Sequence, residues 1–180
     1  MTKRFVLIDR DGTLNVERHY LSDPDQLELT TGAGPALRRL KERGLGLVVV
    51  TNQSGIARGK FDLATLDRIH DRLRAMLGDE GVELDGVYFC PHGPEDGCGC
   101  RKPLPGMALQ AATELGFDPA RSFMIGDKPA DIDLGRAVGA TTFLVRTGYG
   151  DGHARAGDCQ PDHVVDDLAA AAKIIERSLT

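Results

Sequence analysis

Two carboxylates two residues apart carry the first hint of chemistry in this chain. The apolar run Phe5-Val6-Leu7-Ile8 ends in Asp9-Arg10-Asp11-Gly12-Thr13. Its length and its Val and Ile suit a buried strand of a parallel sheet, and the Gly lets the backbone turn sharply behind it. Such sheets bind ligands at the carboxyl ends of their strands. Two acids there, before a Gly-Thr turn, suit Mg²⁺ and a phosphate, with one carboxylate as nucleophile and the other as proton donor. Taken alone, Asp-x-Asp after a strand is usually a polar turn or a helix cap. What decides between them lies further along the chain.

Two more apolar runs end in polar residues of the right kind. Residues 45–50 lead into Thr51-Asn52-Gln53-Ser54-Gly55, and residues 122–125 into Gly126-Asp127-Lys128. Arg101-Lys102-Pro103 stands in a loop just before a helical pattern. In a doubly wound sheet these strand ends share one edge. Carboxylates for Mg²⁺, hydroxyl and amide donors for phosphate oxygens, and cations then meet at one place. Phosphoryl transfer needs positioning and charge neutralisation above all.

A second cluster is Cys90, His92, Cys98 and Cys100, arranged as Cys-x-His and Cys-x-Cys around the loop Gly93-Pro94-Glu95-Asp96-Gly97. These residues supply a tetrahedral Cys₃His set for Zn²⁺, and with all four positions filled by protein the site is structural, not hydrolytic. The competing reading, buried free thiols, does not suit a polar, Gly-rich loop. Cys159 is distant in sequence and reads as a free surface or loop thiol.

The elements that must position these residues alternate along the chain. Strands are expected at 5–8, 45–50, 87–90, 122–125 and 141–145, with a short sixth at 164–165. The first helical pattern opens at Gly34-Pro35, runs through Leu37, Leu40 and Lys41, and stops at Gly44. Asp62 is a plausible N-cap for a long helix with Leu63, Leu66, Ile69, Leu73, Met76 and Leu77 on one face. Helices follow at 107–115, closed by Gly116, then at 132–138 and 168–175. Residues 148–161 are rich in Gly, Asp and Ala and read as a mobile surface loop. Asp131 reads as a brace for its loop or a helix cap, His70 as solvated, and Met76 and Met107 as core fillers. His153 and His163 lie in or beside the loose segment. Strand–helix alternation at this spacing predicts an α/β fold, a three-layer doubly wound parallel sheet with helices on both faces.

The composition is compatible with one compact domain over residues 1–180. The chain has 180 residues, 41% of them hydrophobic, with 22 Lys and Arg against 27 Asp and Glu and a net charge of −5. That balance and the lack of an aromatic–basic stripe speak against nucleic acid. No apolar run approaches the ~20 residues needed to span a bilayer. Met1-Thr2-Lys3-Arg4 leads straight into a strand-length run and does not read as a signal peptide. A cytoplasmic protein is expected.

Asp9-x-Asp11-Gly12-Thr13, Thr51, Lys102 and Gly126-Asp127-x₃-Asp131 resemble, in order, the four motifs of the haloacid dehalogenase (HAD) superfamily. The longer segments 9–15 and 50–61, Cys90-Pro91-His92 and Cys98-x-Cys100-Arg101-Lys102-Pro103 resemble its heptose bisphosphate phosphatase branch. The resemblance implies a capless HAD-like fold with a zinc loop beside the active site, and removal of the C7 phosphate of a heptose 1,7-bisphosphate in nucleotide-activated heptose biosynthesis. It implies Asp9 as nucleophile and Asp11 as acid and base. Mg²⁺ would be held by the Asp9 carboxylate, the Asp11 carbonyl and Asp127, with Thr51 and Lys102 on phosphoryl oxygens. Asn52, Gln53, Ser54 and Lys128 are expected beside the phosphate, Arg101 on the second phosphate, and Glu17-Arg18-His19-Tyr20 on the sugar. Arg58-Gly59-Lys60 and Arg101 favour a substrate with a second anionic group. The segment between His92 and Cys98 is shorter than in the best-known members. Absence of a cap-sized insertion suits a small substrate and a monomer. The alternatives are a histidinol-phosphate phosphatase of the same branch, a polynucleotide 3′-phosphatase, and a non-catalytic zinc-stabilised binding module, which would have no need of both acids.

Overall fold

A computed structural model of the chain describes residues 3–179. Met1 and Thr2, the start of the stretch read above as no leader, lie outside the described residues. The order is β1 (Phe5–Ile8), α1 (Ala33–Glu42), β2 (Gly46–Asn52), α2 (Leu63–Asp79), β3 (Gly86–Cys90), α3 (Gly106–Leu115), β4 (Phe123–Gly126), α4 (Pro129–Ala137), β5 (Thr141–Val145), α5 (Gly150–Ala156), β6 (His163–Val165) and α6 (Leu168–Ser178). The strands form one parallel sheet in the order β3-β2-β1-β4-β5-β6. The chain winds outward from β1 through β2 to β3, then returns to β4 on the other side of β1. The crevice between the carboxyl ends of β1 and β4 is the switch point of a doubly wound sheet, where ligands bind.

Alternation along the strands builds the two apolar layers. Val6 and Ile8 of β1 and Leu47 and Val49 of β2 join one core with Leu37 and Leu40 of α1, Ile69 and Leu73 of α2, and Ala171 and Ile175 of α6. Phe5, Leu7, Val48 and Val50 join the other core with Met107, Ala108 and Ala111 of α3 and Leu134 of α4. Each large side chain buried this way stabilises the fold by roughly 1.5–3 kcal/mol. The connections from β1 to α1 and from β2 to α2, where a cap would be inserted, hold only turns, one 3₁₀ turn and two isolated bridges. No helix of the described residues is long and apolar enough to cross a membrane.

The structure corrects four expectations. The stretch 148–161 contains α5, seven residues closed by Gly157 in the left-handed conformation. Local charge pairs hold it: Asp151 accepts from Arg146 at 2.8 Å and lies 2.7 Å from Arg155 one turn on. Helix α4 starts at Pro129 rather than 132, because Pro suits the first turn and the Asp131 carboxylate accepts from the Lys128 amide at 3.0 Å. Leu63 is 51% exposed, since the first turn of α2 borders an open groove with Ser22, Ile56 and Phe61 and has no core opposite it. His70 is buried, not solvated.

Candidate active site

The strand ends converge as the sheet topology requires. Asp9 follows β1, Asp127 follows β4, and Lys102 arrives from the loop before α3. The Lys102 ammonium lies 2.7 Å from Asp9 Oδ1, 2.6 Å from Asp131 Oδ1 and 2.9 Å from the Val50 carbonyl. All three charged residues are buried. Burial alone would lower the Lys102 ammonium, but the charges of Asp131 and Asp9 raise it, so it stays a cation. Asp9 Oδ1 also accepts from the Arg10 amide at 2.8 Å, which fixes the carboxylate from two sides. Asn52 holds the lysine's own backbone, accepting from Lys102 N at 3.0 Å and donating to Lys102 O at 3.1 Å. Asp131 is thus both brace and cap.

Asp127 has the environment of a metal ligand. It is wholly buried, and its Oδ1 finds no hydrogen-bond partner among the described residues. Its Oδ2 accepts from the Tyr149 amide at 2.9 Å. Gly12 and Gly148, both at positive φ, press on that oxygen: a Cβ on either would lie 2.3 or 2.2 Å from it. One ligand oxygen from each of Asp9, Asp127 and Asp131 falls within 4.8 Å of the others. Burial and the charges of Asp9 and Asp131 push the Asp127 carboxyl up to about 8. Crowded, buried carboxylate oxygens with an unpartnered member are the donor set of a hard divalent cation such as Mg²⁺. The residues fit the ion that the sequence implies.

Asp11 stands at the edge of this cluster, held by neighbours. Arg10 Nη2 donates to its Oδ2 at 2.8 Å, Gln53 Nε2 to Oδ2 at 2.8 Å, and Asn15 Nδ2 to Oδ1 at 3.1 Å. Burial would raise the Asp11 carboxyl, but the Arg10 charge and these bonds bring it below the usual range. Gln53 also donates to Thr51 Oγ1 at 2.8 Å, which ties the end of β2 to the same network.

A cavity of about 320 Å³ opens above these groups. Asp11, Glu17, His19, Tyr20, Asn52, Gln53, Ser54, Arg101, Lys102 and Lys128 line it together with Tyr149. Buried Asp9 meets that lining through Lys102, and buried Thr51 through Gln53. His19 and Tyr20 both take left-handed backbone (φ 48° and 62°), uncommon for bulky residues and frequent at functional sites. Glu17 accepts from the His19 amide at 2.7 Å and lies 3.5 Å from Lys128. Burial would lower the Lys128 ammonium, but Asp9, Asp127 and Glu17 raise it. Arg18 departs from its expected place on the sugar: it pairs with Glu28 at 2.6 Å, off the cavity lining. Arg58 and Lys60 are exposed, and Lys60 lines a different groove.

Beside the cavity, Cys90, His92, Cys98 and Cys100 bring four ligand atoms within 4.8 Å of one another. Cys90 Sγ lies 2.9 Å from Cys100 Sγ and 3.5 Å from Cys98 Sγ, and His92 Nδ1 lies 3.4 Å from Cys100 Sγ. Burial pushes the Cys90 thiol up to about 12. Partial desolvation would raise Cys98 too, but hydrogen bonds from the Arg101 amide and neighbouring thiols bring it down to about 7. Three thiols and an imidazole at these separations match a tetrahedral zinc set. Cys159 lies outside this cluster.

The sequence model of the HAD-hydrolase-like family matches residues 99–171. The D-glycero-β-D-manno-heptose-1,7-bisphosphate 7-phosphatase of Yersinia pestis is 44% identical over 179 residues, covering 95% of this chain and 94% of that one. This chain belongs to that phosphatase family. The Pasteurella multocida (strain Pm70) member is 42% identical, with 97% of each chain covered. The crystal structure of a B. bronchiseptica D,D-heptose 1,7-bisphosphate phosphatase, complexed with magnesium and phosphate, superimposes with a TM-score of 0.91 at 37% identity, covering 97% of this chain and 99% of that one.

Within this site, three cavity or network residues carry little or no mark in the sequence. Arg10 is only the spacer in Asp-x-Asp, so nothing in the motif marks it. Tyr149, whose ring lies 4.9 Å from the Lys128 ammonium, sits in a stretch that read as loose. His70 had a signal: it follows Leu66 by four residues and precedes Leu73 by three, which places it on the buried stripe of α2.

Proposed function

We propose that this phosphatase hydrolyses the C7 phosphate of D-glycero-β-D-manno-heptose 1,7-bisphosphate, giving heptose 1-phosphate and inorganic phosphate through an aspartyl-phosphate on Asp9. The observation that carries the reading is the buried Lys102 ammonium, shared between Asp9 and Asp131 at the floor of the cavity. It neutralises the carboxylate that must approach an anionic phosphate. Asp9 attacks phosphorus and the bond from phosphorus to the C7 oxygen breaks. Asp11, ionised in the free enzyme under the Arg10 grip, takes a proton from the incoming phosphate monoanion and passes it to the departing alkoxide, then takes one from the water that cleaves the aspartyl-phosphate. Thr51 and Lys102 hold phosphoryl oxygens. Asn52, Gln53, Ser54 and Lys128 surround the phosphate, Arg101 holds the C1 phosphate, and Glu17, His19 and Tyr20 contact the sugar.

Mg²⁺ fits the Asp9 and Asp127 carboxylates with the Asp11 carbonyl, and supplies positive charge against the repulsion between nucleophile and substrate. Zn²⁺ fits Cys90, His92, Cys98 and Cys100 and shapes the loop that carries Arg101. The relatives' shared name, the magnesium and phosphate of the B. bronchiseptica protein and the orphaned Asp127 oxygen support this reading. No observation favours histidinol phosphate. The test is phosphate release from heptose 1,7-bisphosphate and histidinol phosphate with Mg²⁺ and with EDTA. Mg²⁺-dependent release from the bisphosphate is expected, with heptose 1-phosphate as product. Heptose 7-phosphate as the product, or faster release from histidinol phosphate, would refute it.

A further inference from the structure

The Arg10 side chain is wholly buried and spreads its donors over three partners. Nε and Nη2 grip the Asp11 carboxylate at 2.8–3.2 Å, and Nη2 also reaches Gln53 Oε1 at 3.2 Å. The remaining arm, Nη1, meets His70 Nε2 at 3.2 Å. His70 belongs to α2, an element that otherwise serves the core, and its ring packs 5.8 Å from that of Phe89 on β3. A guanidinium has donors and no acceptor, so Nε2 must accept and the ring proton sits on Nδ1. We propose that His70 is a positioning residue for the Asp11 carboxyl, acting through Arg10.

The argument is one of satisfied donors. An Arg N–H left without a partner in a dry site is costly, and the side chain would turn to find another acceptor. Arg10 cannot turn without dragging the carboxylate that it holds through two nitrogens. His70 removes the reason to turn. Burial and the nearby Arg10 and Arg74 charges lower the His70 pKa to about 3, so it remains an acceptor throughout the working range. Phe89 and the helix fix the ring. The inference rests on the reading of Asp11 as the proton donor to the leaving alkoxide.

Leaving-group chemistry tests it. A sugar phosphate departs as an alkoxide and needs the proton, whereas p-nitrophenyl phosphate departs as a stable phenolate and hardly does. kcat/KM covers the steps up to loss of the leaving group, so the later water step does not enter. His70→Leu is expected to lower kcat/KM on heptose 1,7-bisphosphate about ten- to a hundredfold, through kcat more than KM. On p-nitrophenyl phosphate the change should stay within about threefold. His70→Gln, whose amide oxygen can accept from Nη1, should recover most of the loss. Asp11→Asn sets the reference and should show the same selectivity, more strongly. If Asp11→Asn is selective but His70→Leu loses equally on both substrates, loses nothing, or is not rescued by Gln, the role of His70 is overturned and the role of Asp11 stands. If Asp11→Asn is not selective, the acid assignment fails and this inference falls with it. Should His70→Leu not fold, Arg10→Lys keeps the charge and gives up the fork. The same selective loss is then expected, and an equal loss on both substrates overturns the proposal.

Discussion

Arg101 donates from Nη1 to the carbonyl of His92 at 3.2 Å, so a residue at the cavity is aimed by a ligand of the proposed zinc site. The loop between His92 and Cys98 is mostly exposed and has few apolar side chains to hold its own shape. On the proposed zinc reading, metal binding supplies much of its stability. Protein purified without chelators should carry about one zinc per chain, measured by elemental analysis. Cys98→Ser should lower both zinc content and thermal stability, and should raise KM for the bisphosphate as Arg101 loses its anchor. Zinc-free wild-type protein with an unchanged melting temperature would contradict this.

Asp9→Asn should abolish turnover and leave the fold intact. The amide is a poor nucleophile and a weaker metal ligand, yet it keeps the shape of the carboxylate between Lys102 and the Arg10 amide. Circular dichroism and phosphate release on the same preparation separate the two effects. Substantial activity in clean protein would remove Asp9 as nucleophile.

Gly148→Ala should raise the Mg²⁺ concentration needed for half-maximal activity. The new Cβ would fall 2.2 Å from Asp127 Oδ2 at a backbone φ of +57°, so the carboxylate or its loop must move. Displacing a ligand or its support typically costs about ten- to a hundredfold in metal affinity. A Mg²⁺ titration of activity reads the shift, and an unchanged titration would mean that Asp127 does not bind the ion.

His70 makes stability depend on acid. Its folded pKa is lowered to about 3 from the ordinary 6.5. Above the ordinary value both folded and unfolded chains hold it neutral, and its contribution is fully present. As pH falls below it, the unfolded chain gains a proton that the folded chain refuses until about 3, so stability is lost across that window. His70→Gln should therefore lose less stability than wild type between about pH 7 and about pH 5. Urea midpoints at the two pH values measure it, and parallel losses in both proteins would place the acid sensitivity elsewhere.

The sequence made the frame of this site legible because polar residues at the ends of apolar runs can only meet at one edge of a parallel sheet. Asp9, Thr51 and Asp127 converge for that reason, Lys102 reaches them from the loop before α3, and Cys90, His92, Cys98 and Cys100 cluster because their spacing closes a short loop. What escaped depends on side-chain direction. Arg18 turns to Glu28 while its neighbours His19 and Tyr20 face the cavity through a left-handed backbone. No composition signals that turn. Helix α5 was hidden because Gly and Asp read as loop formers, whereas the Asp151 pairings with Arg146 and Arg155 are contacts that appear only once the helix exists. His70 is legible by its phase on α2, where it falls on the buried stripe with Leu66 and Leu73 although its side chain is polar.

Arg101 decides the last prediction. The reacting phosphate must reach Asp9 and Lys102 at the floor, so the second phosphate of a bisphosphate lies further out in the cavity. Arg58 and Lys60 are exposed and line no part of it, which leaves Arg101 and Lys128 as the cations at hand. Lys128 stands beside Asp127, its ammonium raised by Asp9 and Asp127, and so belongs to the reacting end. A guanidinium can take a distal phosphate in bidentate fashion, which a lysine cannot reproduce. Arg101→Ala should therefore cost about 1.5–3 kcal/mol on heptose 1,7-bisphosphate, or roughly ten- to a hundredfold in kcat/KM. On heptose 7-phosphate, which lacks the C1 phosphate, the loss should be within about threefold. Arg101→Lys should restore charge but not the fork, and fall between the two. The two substrates are compared on the same mutant and wild-type preparations. An equal loss on both would mean that Arg101 serves the reacting phosphate or the zinc loop, and the second phosphate would need another partner in the cavity.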